Sequence, residues 1–85
     1  RGKRRWIGIN VSGYDSRDSL EKAIESIAPS TEWKLTLFED GKAIVKVRLE
    51  DLDDWRKNFE VSNSNIESVT TSGKIRLVKQ RMGFN

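Results

Sequence analysis

What most constrains this chain is that its apolar residues change period along the sequence. Ile7, Ile9 and Val11 recur every second residue, with Trp6, Gly8 and Asn10 between them, the pattern of a strand with one buried face. Leu20, Ala23, Ile24, Ile27 and Ala28 then follow at i, i+3, i+4, i+7 and i+8, one stripe of an amphipathic helix. Ser12-Gly13 ends the strand, Asp15 or Ser16 offers a side-chain oxygen to cap the helix, and Pro29 stops it. Period two returns over 32–38, with Trp33, Leu35 and Leu37 on one side and Lys34, Thr36 and Phe38 on the other. Asp40-Gly41 tolerates the positive φ of a two-residue hairpin turn. Residues 42–48 are therefore the partner strand, Ala43, Val45 and Val47 inward, Lys42, Ile44, Lys46 and Arg48 outward.

A second helix is expected over 50–59, with Leu52, Trp55 and Phe59 as its inner stripe. Glu50, Asp51, Asp53 and Asp54 suit its positive start, Arg56 and Lys57 its end. Residues 61–73 read as a polar loop in which Ile66 and Val69 leave room for a short accessory strand. The final strand is assigned to 74–80, with Ile75 and Leu77 inward and Lys74, Arg76 and Val78 outward, and 82–85 to a frayed tail. The order is β-α-β-β-α-β. Right-handed crossovers turn that order into an α+β, ferredoxin-like sandwich: a four-stranded antiparallel sheet in spatial order 4-1-3-2, both helices on one face and the other face bare.

Composition narrows the function. The chain has 85 residues, 35% apolar and 34% charged, enough for one small domain with one core. No apolar run approaches the roughly 20 residues a bilayer requires, so no membrane partner is expected. Cysteine and histidine are both absent, which removes disulfides, thiolate nucleophiles, zinc-finger sites and the usual general base. No enzyme and no cofactor is expected. The acids at 50–54 are explained by a helix start without a metal. A chain without an initial Met reads as a domain from a longer protein, with 1–4 as a basic arm.

The net charge of +3 is unevenly spread. Arg1, Lys3, Arg4 and Arg5 at the start, and Lys74, Arg76, Lys79 and Arg81 at the end, have no acid among them; all 13 acids lie between. Basic ends around an acidic middle form a footprint for a polyanion if the fold brings them together. In the 4-1-3-2 order the end of the last strand lies beside the start of the first, which predicts one basic corner of Arg4, Arg5, Lys79 and Arg81.

The chain also resembles an RNA recognition motif (RRM) over residues 5–81. Arg5-Trp6-Ile7-Gly8 is similar to the first-strand signature, with Trp6 at its exposed aromatic position. In the third-strand octamer, Gly41, Ala43 and Val45 fit, but Lys42 and Ile44 replace the two aromatics that stack bases. Ser72-Gly73-Lys74-Ile75-Arg76-Leu77 resembles a fourth-strand entry. Trp6-Ile7-Gly8-Ile9-Asn10-Val11 and the acidic turn Leu37-Phe38-Glu39-Asp40-Gly41 are closest in pattern to the atypical RRM of the Tap/NXF-type RNA export receptors. That resemblance implies a nuclear protein, shuttling in RNA export or processing.

The expected RNA surface therefore combines the basic arm (Arg1, Lys3, Arg4, Arg5) with the bare face: Trp6, Asn10, Lys34, Phe38, Lys42, Ile44 and Lys46, then Arg76, Lys79 and Arg81. Single-stranded RNA stacks bases on aromatics while cations meet phosphates. With so few aromatics, binding is expected to be weak and sequence-tolerant. Trp6 alternatively packs under the arm or the last loop, Phe38 alternatively caps the sheet, Trp33 reads as core or edge packing, and Trp55 reads as core. The competing function is a protein-interaction domain that binds no RNA, through the sheet (Ile44, Val78) or the acidic start of the second helix.

Overall fold

A computed structural model of the chain describes residues 3–14, 16–62 and 65–84. Its elements are β1 (Arg4–Val11), α1 (Arg17–Ile27), β2 (Trp33–Glu39), β3 (Lys42–Arg48), a 3₁₀ turn (Leu49–Asp51), α2 (Leu52–Ser62), β4 (Ile66–Ser72) and α3 (Ile75–Met82). The strands form one antiparallel sheet in the order β2-β3-β1-β4, the expected spatial order. Arg1, Asp15 and Asn85 lie outside the described residues. Among the described residues no helix is long and apolar enough to cross a membrane.

The first face of the sheet carries the main core. Ile7, Ile9 and Val11 from β1, Leu35 from β2 and Ala43, Val45 and Val47 from β3 are buried against Leu20 and Ile24 of α1 and Trp55 and Phe59 of α2. Ser16 caps α1 by accepting from the Ser19 N–H at 3.3 Å. The Asn58 side chain donates to the Ile27 carbonyl at 2.6 Å and ties the end of α1 to α2. Trp55 meets Trp33 edge-on, centroids 6.1 Å apart at 73°, and among the described residues its buried indole N–H has no hydrogen-bond partner. The hairpin is of the expected kind: Asp40 and Gly41 have φ of 51° and 75°, and Glu39 pairs with Lys42. α2 runs on to Ser62, so Arg56 and Lys57 sit in its middle and not in its last turn.

Three expectations are corrected. First, the alternation of β2 is broken by a register shift between Leu35 and Leu37. A one-residue bulge exchanges the faces of all that follows. Phe38 is therefore carried to the main core and Leu37 to the opposite face. The Leu35 carbonyl at the bulge accepts from the Arg17 guanidinium, and the Thr36 hydroxyl donates to the Ile44 carbonyl at 2.9 Å.

Second, the last strand is Ile66–Ser72, in the stretch read as a loop with room for a short accessory strand at Ile66 and Val69. Ile66, Val69, Thr70 and Thr71 are β-branched and suit a strand. As an edge strand it buries a single apolar side chain, Ile66, so it shows little hydrophobic alternation.

Third, residues 75–82 are helical and lie on the face expected to be bare. Ile75, Val78 and Met82 recur at i, i+3 and i+7, a helical spacing that the shorter Ile75/Leu77 alternation masks. Gly83, at φ 86°, ends the helix. Its N–H donates to the Gln80 carbonyl (3.2 Å) and that of Phe84 to the Lys79 carbonyl (2.8 Å), a Schellman closure and not a frayed tail. Val78 and Met82 are buried against Ile44, with Trp6, Leu37, Ile75 and Phe84 packed around them. Gly8 lets this helix close down: a Cβ there would lie 2.8 Å from Met82 Sδ. Among the described residues the fold thus has three helices, one of them across the second face.

Candidate nucleic-acid interface

α3 packs mainly over β4 and β1 and touches β3 less; on β2 its cluster takes in Leu37, while Lys34 stays exposed. The register fixes what stands there. Lys34 pairs with Lys46, which is also opposite Trp6, and in the next row Arg48 pairs with Arg4. Lys34, Lys46 and Arg4 line a shallow concavity of about 210 Å³ together with Thr31, Glu32 and Trp33. Trp6 is half-buried, one side against the α3 cluster.

Two like-charged pairs in adjacent rows cost stability, because cross-strand neighbours stand within about 5 Å of each other at Cβ. One of the four cations is largely neutralised. Arg48 grips Asp51 through Nε–Oδ2 (3.0 Å) and Nη2–Oδ1 (3.3 Å) and approaches Glu50 at 3.8 Å. Asp51, buried, also accepts from Ser30 Oγ at 2.9 Å. The hydrogen bonds from Arg48, then Ser30, hold its carboxyl below the usual carboxylate range, and the same pairing raises the Arg48 guanidinium. Lys34 and Lys46 have no ion-pair partner among the described residues.

The structure thus assembles Arg4, Trp6, Lys34 and Lys46 from the expected surface and disperses the rest. Arg1 lies outside the described residues. Lys3 is exposed just before β1, its carbonyl accepting from the Leu49 N–H at 3.0 Å. Arg5, opposite Val47, belongs to the first face and reaches toward α2 and Gly73. Asn10 is exposed at the far end of β1, between Lys42 and Glu67. Lys42 is half-buried at the end of α3, where a side chain on Gly83 would come within 3.3 Å of its Nζ; a cation there suits the helix dipole.

Phe38 is turned to the core by the bulge and Ile44 is sealed beneath α3, so neither offers a surface to a base. Arg76 and Lys79 are exposed on α3, and Arg81 donates to the Thr70 hydroxyl at 3.0 Å. Thr70 pairs with Gly8, three residues along β1 from Arg5, a separation of about 10 Å. The expected corner of Arg4, Arg5, Lys79 and Arg81 therefore does not form, because the chain end it relied on is a helix. Burial of Ile44 and Val78 equally removes the apolar sheet contact of the protein-interaction reading, while Glu50, Asp53 and Asp54 stay exposed. The signals that sequence reasoning passed over were the Ile75/Val78/Met82 spacing and the glycine after it.

No family model matches the chain and no curated protein matches it in sequence.

Proposed function

We propose that the chain is a ferredoxin-like, RRM-like module that binds single-stranded RNA weakly and with little sequence preference. The site is the open half of the second face, around Arg4, Trp6, Lys34 and Lys46. One observation carries this reading: Lys34 and Lys46 are held opposite each other with no ion-pair partner among the described residues. A phosphate placed between two such cations relieves their repulsion and releases counterions. Trp6 offers a single stacking edge, and α3 occupies the area where further bases would stack, so affinity comes from phosphates more than from bases. The strand order and the two helices on the first face support the RRM-like reading. The motif resemblance extends it to a nuclear factor of RNA export or processing, with a binding and not a catalytic role.

The test is a titration of the whole chain with a fluorescent uridine decamer at two salt concentrations. Two lysines meeting phosphates at a slope of about 0.7 each predict a loss of affinity of about sevenfold for a fourfold rise in salt. Lys34→Glu combined with Lys46→Glu is expected to abolish most of that salt-sensitive binding. An affinity indifferent to salt, or to both substitutions, overturns the assignment.

A further inference from the structure

The sheet has a second feature open to a partner, the outer edge of β4. β4 is bonded to β1 along one side, and its other side pairs with no strand among the described residues. A groove of about 610 Å³ follows that side, lined without a break by Ser68, Val69, Thr70, Thr71, Ser72 and Gly73. A groove over one face of a strand touches alternate residues, because successive side chains point to opposite faces. One that touches six in a row runs along the backbone edge.

Edge strands are usually guarded by lysine, proline or inward-pointing charge. Between Ser68 and Ser72 there is none of these; the bulge at Val69, itself a device that turns an edge aside, leaves that side chain 48% exposed. The far wall of the groove is α2, through Leu52 and Arg56, and Arg5 stands at the Gly73 end, where a Cβ would be 3.1 Å from its Nη1. No acid lines the groove, and neither Arg5 nor Arg56 has an ion-pair partner among the described residues.

From this we infer that the β4 edge docks an extended acidic peptide of a partner protein, added as a fifth strand. Main-chain hydrogen bonds along Ser68–Ser72 supply affinity, as in strand addition generally, while Arg5 and Arg56, on the α2 side, receive the carboxylates of alternate residues. The site is separate from the Lys34/Lys46 surface and stands whether or not RNA binds there.

The experiment uses the whole isotope-labelled chain and a blocked heptapeptide of alternating Glu and Val. The peptide is expected to shift the amides of 68–73 and slow their hydrogen exchange. Arg56→Glu, at an exposed position of α2, is expected to weaken it about tenfold with the fold intact. The lysine–valine counterpart should fail to bind. Equal binding of that counterpart, an undisturbed β4 edge, or a response of these amides to a uridine decamer or inorganic phosphate but not to the peptide would each overturn the inference.

Discussion

The two faces of the sheet are covered by different means and to different extents. On the first, α1 and α2 close over a continuous set of aliphatic side chains and seat Trp55 and Phe59 among them. On the second, one helix of eight residues presses Val78 and Met82 onto Ile44 and stops short of Lys34 and Lys46. Helices below about 12 residues are marginal on their own. α3 therefore exists because Gly8, Ile44 and Leu37 give it a surface and Gly83 gives it an end. The comparison teaches that a sheet face can be half core and half open cationic surface, the boundary lying where apolar cross-strand rows give way to cationic ones.

The largest effect should come from the first face. Trp55→Ala empties the centre of the main core and is expected to cost about 3–5 kcal/mol in chemical denaturation. Trp55→Phe should cost clearly less, because the orphaned indole N–H disappears with the lost volume. If the two variants were equally destabilised, Trp55 would not be the centre of that core.

On the second face, Val78→Asp buries a carboxylate without a partner, at about 2 kcal/mol or more. Amides of α3 should lose hydrogen-exchange protection while β1 and β3 keep theirs. Simultaneous loss in all strands would make the two faces one cooperative unit and erase the contrast. The smallest effect lies at the cationic rows. Lys34→Glu turns a repulsive cross-strand pair into an attractive one and should stabilise the fold by about 0.2–1 kcal/mol while RNA affinity falls. A melting temperature that drops instead would show that the facing lysines impose no cost.

Among the site residues, Lys34, Lys46, Arg4 and Trp6 are legible as outward positions of alternating strands, and the structure keeps them together. Phe38 and Ile44 are assigned to the same surface by the same alternation and are lost from it for two reasons. A bulge in β2 turns one to the core, and a helix from elsewhere in the chain covers the other. Neither event leaves a mark on the local pattern of residues 32–48. The β4 edge is illegible for a related reason, since a strand that buries one side chain need not alternate.

Period, capping and turn chemistry act over a few residues, so β1, α1, β3 and the Asp40-Gly41 hairpin follow from the residue pattern alone. Residues 75–82 satisfy two periods at once, and the choice between them belongs to the surface waiting to receive them. An apolar patch of Ile44, Leu37 and Trp6 beside the gap at Gly8 rewards a helix that presents Val78 and Met82 together. Because burial is a property of the assembled sheet, the position of α3, and with it the extent of the open basic surface, is settled in three dimensions.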